Sequence, residues 1–350
     1  MYSYNLWGFS SGELPEEVTL KKAPSMKYVK LKKTSMEGGE GVLYVLEGSN
    51  RLIAKIFKKK ESAEKKAPKI EAFVELFKKL IEEDYWKRIF ENNITMPRAR
   101  LYTDDDILAG FLMNYIELKK AISLKNFIEE KYKDYKRWND WFVKLYVAKK
   151  FIDIIKELHR IGIIVGDLNP KNIFIKSNGE VVILDCDSMQ LTYKGRVYPL
   201  DAILRDIAPP EVIKYGAKGV SIKSDVFSAA IHVYRILMKG FTPFQFRSSI
   251  PEDRNTIIMT GKNIFNNPYP PAGLPPLEAL GPYLLDVLPR CLEVDPNKRP
   301  FLDELSTALY FTILDLRVCS NGHITVPYLK KCYICGDTNL KDFDKSQYNL

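Results

Sequence analysis

The chain has 350 residues, 46% hydrophobic and 12% aromatic, enough apolar material for a large buried core and two or three domain-sized units, which excludes a disordered or fibrous protein. A formal charge of +9, from 53 Lys and Arg against 44 Asp and Glu, suits a phosphate-rich ligand. The basic residues gather on no single face, and runs such as Lys58 to Lys60 read as a solvated loop, so nucleic acid is not expected as a partner.

Residues 1–26 show little periodicity, are punctuated by Pro15 and Pro24, and read as an N-terminal extension. They carry no basic leader followed by an apolar run, and no stretch of about 18 apolar residues follows, so a cytoplasmic protein without a membrane span is expected. From Lys27 the alternation of Tyr28 to Leu31, the turn Gly38-Gly39-Glu40-Gly41, and the runs Val42 to Leu46 and Arg51 to Phe57 predict an antiparallel sheet. Ile70, Phe73, Val74, Phe77, Leu80 and Ile81 recur at helical spacing and predict one long amphipathic helix over 67–91. A strand pair follows at Ala99 to Tyr102 and Leu108 to Tyr115. Past Leu124 the character changes to helices, predicted at Leu124 to Tyr132, Trp138 to Arg160, Ser224 to Met238 and Tyr283 to Leu292. Two short strands, Ile173 to Lys176 and Val181 to Asp185, bracket the turn Asn178-Gly179. The expected fold class is α+β, an antiparallel sheet region followed by a helical one.

The chemistry concentrates in two segments. Asp167-Leu-Asn-Pro-Lys-Asn172 sets a carboxylate and a carboxamide five residues apart on a loop, and 18 positions after Asp167 comes Asp185-Cys-Asp187 at the end of a β-branched run. Carboxylate and carboxamide oxygens are the ligands a hard cation such as Mg²⁺ prefers. Upstream, Gly38, Gly39 and Gly41 allow backbone N–H groups to approach phosphates closely. Fourteen residues after Gly41, Lys55 lies on an alternating strand, where an inward ammonium requires an anionic partner.

The ordered series of the glycine turn, Ala54-Lys55, Asp167 to Asn172, Asp185, Pro209-Pro210-Glu211, Ser224-Asp225 and Lys298-Arg299-Pro300 resembles the protein kinase family over about residues 27–310. The wording Gly-Asp-Leu-Asn-Pro and Asp-Cys-Asp-Ser is similar to a prokaryotic subgroup of serine/threonine kinases. The resemblance implies a bilobal fold, with an N-lobe over 27–116 and a C-lobe over 117–316. It implies ATP as cofactor, its phosphates on Lys55 and the glycine turn, with Glu71, or else Glu75, as the helix carboxylate partner of Lys55. Met113 and the backbone of Asn114, Tyr115 and Ile116 would line the adenine pocket at a hinge. Asp167 would orient the attacking hydroxyl, while Asn172 and Asp185, with Asp187 as a further candidate, would hold Mg²⁺ or Mn²⁺. Glu211 with Arg299 resembles a buried ion pair, and Asp225 resembles an aspartate that ties down the catalytic loop.

Departures from the family pattern narrow the expectation. Val165-Gly166 stands where many kinases have His-Arg, so a clamp for an activation-loop phosphate is missing, and Asn169 replaces a lysine usual in serine/threonine kinases. In Asp185-Cys186-Asp187 the usual phenylalanine and glycine are both replaced.

A second chemistry closes the chain. Cys319-Ser-Asn-Gly-His323, eight residues, then Cys332-Tyr-Ile-Cys335 offers three thiolates and an imidazole with the two-knuckle spacing of a structural Zn²⁺ site. Residues 317–350 thus resemble a zinc ribbon, a possible docking point for a protein partner. The expected activity is transfer of the ATP γ-phosphate to serine or threonine of a protein substrate, the chain itself included. The competing expectation is a nucleotide-binding scaffold acting through its ribbon.

Overall fold

The computed structural model describes residues 6–7, 13–132, 140–201, 203, 207–247, 252–267 and 269–344. Trp138, predicted to open a helix, lies outside them. Two compact units emerge, the first from Met1–Lys119 with Val182–Pro199, the second from Lys120–Val181 with Leu200–Leu350. The chain opens in the first unit with β1 (Glu17–Lys22), β2 (Lys27–Glu37), β3 (Gly41–Leu46), β4 (Leu52–Phe57), α1 (Lys60–Leu80), α2 (Asp84–Asn92), β5 (Ala99–Tyr102) and β6 (Leu108–Asn114). It continues in the second with β7 (Ile122–Ser123), α3 (Leu124–Ile128), α4 (Trp141–Arg160), β8 (Ile163–Ile164) and β9 (Ile173–Ile175). After β10 (Val181–Ile183), β11 (Gln190–Tyr193) and β12 (Arg196–Tyr198), it ends in the second unit with α5 (Pro210–Tyr215), α6 (Ile222–Leu237), α7 (Arg254–Met259), α8 (Gly281–Cys291), α9 (Leu302–Leu314), β13 (Arg317–Cys319), β14 (Ile324–Thr325) and β15 (Leu340–Asp342).

In the first unit six antiparallel strands close into a barrel in the order β1-β2-β3-β4-β6-β5. Leu20, Leu31, Tyr44, Ala54, Ile56, Leu101 and Leu112 fill one core cluster. The alternate residues of β4 and β6, Ile53, Phe57, Phe111 and Met113, join Ile70 and Val74 of α1 in a second. Covered on both faces, these two strands read as nearly continuous apolar runs. Strand β1 corrects the reading of residues 1–26 as an extension: it pairs in full register with β2, Val18 opposite Leu31. Leu6 and Leu14 join the barrel core, and the Trp7 indole N–H donates to Phe57 O at 3.0 Å. The single helix expected over 67–91 is two, because α1 ends at Leu80 and α2 begins at Asp84.

The second unit packs α4, α6, α8 and α9 around Leu145, Phe151, Ile155, Phe227, Ile231, Leu284, Leu288 and Leu309, all nearly inaccessible to solvent. Helix α6 starts two residues earlier than its apolar pattern suggests, because Ser221 and Ser224 exchange side-chain and backbone hydrogen bonds in a capping box. Strands β14, β13 and β15 form a small sheet. Thr325 and Val326 are fully buried, and the Phe343 ring lies 5.5 Å from that of Phe142 on α4, so the C-terminal sheet belongs to the helical core. No helix among the described residues is long and apolar enough to cross a membrane.

A buried charge braces this unit. Arg299, 2% exposed, uses all five of its N–H donors: two on the Glu211 carboxylate at 2.7 and 2.8 Å, and one each on Glu293 O, Lys223 O and Val294 O. Its planar fork matches the carboxylate, which a lysine would not. Removing one partner strands the other charge, so Arg299→Ala should lower stability to urea by about 3–5 kcal/mol. Arg290→Ala, which breaks exposed pairs with Asp286 and Glu304, should change it by less than about 1 kcal/mol.

Candidate active site

Strand β4 turns Lys55 into the first unit, where the residue is 8% exposed. Its ammonium finds two carboxylates: Asp185 Oδ1 at 2.5 Å, and Asp187 Oδ1 and Oδ2 at 3.0 and 2.8 Å. Gly41 makes room beside it, since a Cβ there would lie 2.9 Å from Ile56 O and 3.1 Å from Lys55 Cγ. Asp185 adopts a left-handed backbone, φ 65°, which aspartate tolerates better than most residues. Its N–H donates to Thr95 Oγ1 at 3.1 Å, and its carbonyl accepts the Ser188 hydroxyl at 2.7 Å.

The two aspartates differ in setting. Asp187 is 2% exposed, and both its oxygens face Lys55. Burial pushes its carboxyl up, but the Lys55 and Lys66 charges together outweigh that and hold it below the ordinary carboxylate range. Asp185, its side chain 39% exposed, is raised by desolvation and by the Asp187 charge, against the pull of Lys55. Lys55 is held protonated: burial lowers its pKa, and the Asp187 and Asp185 charges more than reverse this.

These contacts revise two expectations. Glu71 does not partner Lys55 in this structure, because its carboxylate pairs with Arg100, and Glu75 pairs with Lys194. Helix periodicity sends both to the solvent face. Asp187 was a candidate metal ligand, but each of its oxygens accepts from Lys55, which leaves Asp185 as the more open carboxylate of the turn.

Asp167 and Asn172 lie half-buried in the second unit on a loop shaped by its backbone. Asp167 N–H donates to Val165 O at 2.7 Å, Asn169 N–H to Asp167 O at 2.8 Å, and Asn172 N–H to Asn169 O at 2.9 Å. The loop is pinned by Asp225, 1% exposed, whose carboxylate accepts the N–H groups of Val165 and Gly166 at 2.7 and 2.8 Å. His159 Nε2 lies 2.8 Å from the same carboxylate. Gly166 has φ 66°, a left-handed backbone in which a larger residue such as arginine would be strained, and a Cβ there would come within 2.9 Å of Leu200 Cδ1. Asn169 Oδ1 accepts from Lys171 N at 3.0 Å, so the residue replacing the usual lysine closes the turn around Pro170. His232, read in the sequence as a core residue, is fully buried and donates from Nε2 to Leu168 O at 2.8 Å.

Met113 is buried in the apolar cluster of the first unit. The Asn114 side chain is engaged by Arg98 and by Phe90 O, and Tyr115 N–H already donates to Arg51 O at 2.9 Å. Of the three backbone segments expected to face adenine, that of Tyr115 is therefore used internally, while Ile116 is buried.

At the C-terminus Cys319, His323, Cys332 and Cys335 bring their ligand atoms within 4.8 Å of one another. Cys319 Sγ lies 3.8 Å from Cys335 Sγ and 3.6 Å from His323 Nδ1, and Cys332 Sγ lies 3.8 Å from His323 Nδ1. Two thiolates bonded to one tetrahedral Zn²⁺ stand about 3.8 Å apart, so the donor set fits. Four protein ligands would close the coordination sphere and leave no position for catalysis.

Sequence reasoning missed His159, Thr95 and the buried lysines of α1. For His159 a signal existed, a histidine near the end of the helix that leads into the loop. For Thr95 none did.

A protein-family model described as "Protein kinase domain" matches residues 37–311. Among curated proteins, Protein kinase YegI of Escherichia coli strain K12 is 23% identical over 212 residues, 59% of this chain and 31% of YegI. Human Ribosomal protein S6 kinase alpha-4 is 26% identical over 183 residues, 47% of this chain and 22% of that protein. The Calcium/calmodulin-dependent protein kinase type I of Schizosaccharomyces pombe is 26% identical over 185 residues, 49% of this chain and 52% of its own. In each case the chain spans well under two thirds of its relative.

Two measurements check the electrostatics of these sites. Metal analysis of protein purified without chelator should find one zinc per chain, and Cys332→Ser should lose it and speed amide exchange across 317–342. Burial lowers the His232 pKa to about 3 from 6.5, so the folded chain keeps the ring neutral where the unfolded chain protonates it. Unfolding then takes up a proton below about pH 6.5, and stability should fall by up to about 1.4 kcal/mol per pH unit from there toward pH 3. Urea midpoints measured between pH 7 and 4 should show that decline flattened in His232→Asn.

Proposed function

The chain belongs to the protein kinase family, and from that premise we propose that it transfers the γ-phosphate of ATP to serine or threonine hydroxyls of proteins. The observation that carries this reading is the retention, within the matched segment, of Lys55 paired to Asp185 in one unit and of the Asp225-pinned loop bearing Asp167 and Asn172 in the other. A chain that had abandoned phosphoryl transfer would have no reason to keep all four.

Each residue takes a role its surroundings suit. Lys55 neutralises phosphate charge, and the backbone of Gly38, Gly39 and Gly41 leaves room for phosphates. Asp185 and Asn172 would hold Mg²⁺ or Mn²⁺, which when bound neutralises charge building on the phosphate oxygens. Asp167 orients the attacking hydroxyl and accepts its proton. Met113 and the backbone of Asn114 and Ile116 would receive the adenine, the Tyr115 N–H being taken by Arg51 O. With Gly166 in place of an arginine, no phosphate on a neighbouring loop is required for activity. Cys319, His323, Cys332 and Cys335 would hold a structural zinc, which when bound would support folding of the second unit.

The test is incorporation of label from γ-labelled ATP, with Mg²⁺ or Mn²⁺, into the chain or a generic protein substrate. Transfer to serine or threonine is expected, falling about 100-fold or more in Asp167→Ala. Label unaffected by that substitution, or found on tyrosine alone, would overturn the reading. Nucleotide binding without any transfer would favour a scaffold.

A further inference from the structure

In the first unit the acidic residues of α1 all point away from Lys55. Glu61, Glu64, Glu71 and Glu75 are exposed, whereas the buried polar positions of the helix are Lys66 and Lys69, 6% and 5% exposed. Lys66 pairs with Glu40 of the glycine turn, and Lys69 Nζ donates to Pro199 O at 2.9 Å. The helix thus presents ammonium groups, not a carboxylate, to the interior that holds Lys55. An ammonium so placed would be untenable without a buried anion, and the turn after Asp185 supplies one.

We propose that Asp187 is the positioning residue of Lys55, fixing its ammonium from the turn that carries Asp185 in place of a carboxylate on α1. The proposal rests on the reading of Lys55 as the lysine that meets ATP phosphate. Three observations support it together. Asp187 accepts from Lys55 through both oxygens. Its side chain is 2% exposed. Every glutamate of α1 is committed outward, Glu71 to Arg100 and Glu75 to Lys194 among them.

The arrangement has a functional consequence. In the family at large the lysine and its helix carboxylate must be brought together, so the position of the helix controls activity. Here Lys55, Asp185 and Asp187 meet within one unit through a strand and a three-residue turn, Cys186–Ser188, whose Cys186 side chain is fully buried. Lys55 is held here without a carboxylate from α1. With both oxygens accepting from Lys55, Asp187 is assigned to the lysine rather than to a metal, and it stands where the family pattern has a glycine.

A double-mutant cycle on thermal stability tests the pairing without relying on activity. Lys55→Met and Asp187→Asn should each lower Tm by about 6–12 °C, and the double variant should lose clearly less than the sum. If Asp187→Asn alone does not fold, recovery of folding in the double variant is the same result, because the stranded charge has been removed. Lys55→Met combined with Glu71→Gln, or with Glu75→Gln, should be additive. Coupling of Lys55 to either glutamate, or none to Asp187, would overturn the proposal. In kinetic assays of a folded Asp187→Asn variant, KM for ATP should rise at least tenfold, and an unchanged KM would count against it. If the unaltered protein transfers no phosphate, the kinase reading fails while the coupling still decides the role of Asp187.

Discussion

An ammonium group set into the wall of a closed barrel is tolerable only beside an anion, and the organisation of the first unit follows from that requirement at Lys55. Moving an unpaired cation out of water would be prohibitive, and a neutral lysine would serve no phosphate. The anions come from Asp185 and Asp187, some 130 residues further along the chain. The segment Val182–Pro199 must therefore belong with the barrel rather than with the helices that flank it in sequence. Its first strand is fixed accordingly: Ile183 N–H donates to Asn93 O at 2.7 Å and Thr95 N–H to Ile183 O at 3.2 Å, with Thr95 Oγ1 then accepting from Asp185. A polar need at one side chain thus determines where a whole segment packs.

The second unit uses the same physics with the signs exchanged. There the buried anion is Asp225, and its partners are backbone N–H groups of the loop before Asp167, helped by His159. Hydrogen bonds to a charged acceptor are stronger than neutral ones, and their geometry orders a segment that has no sheet or helix of its own. Arg299 does corresponding work beside Phe227 of α6, binding Glu211 and three carbonyls. Loops that carry chemistry are held here by buried charge, not by apolar packing alone.

Much of this was legible in advance. The glycine turn, the strand bearing Lys55, and the loop from Asp167 to Asn172 were found because phosphate approach and metal ligation demand particular residue types at short spacing. The zinc-type cluster was legible for the same reason, four soft ligands at knuckle spacing. What escaped was contact across long separations. Glu71 was expected opposite Lys55 because it lies on the right helix, but a helix offers many faces, and only packing reveals that Lys66 and Lys69 point inward while Glu71 meets Arg100. Strand β1 escaped because its burial pattern spans just two strong positions, Val18 and Leu20, between lysines and Pro15.

The sequence by itself determined the division into a sheet-rich and a helix-rich part, the candidate chemistry of each motif, and the absence of an arginine before Asp167, since these depend on residue type and local spacing. Only the tertiary structure decided that Asp187 closes the charge balance of Lys55, that Gly166 takes a left-handed backbone, and that the C-terminal sheet joins the helical core through Thr325, Val326 and Phe343. The physical reason is the range of the forces involved. Turn geometry and periodicity act over a few residues, whereas the desolvation of a charge is settled by whatever group the fold brings alongside it, however distant in the chain.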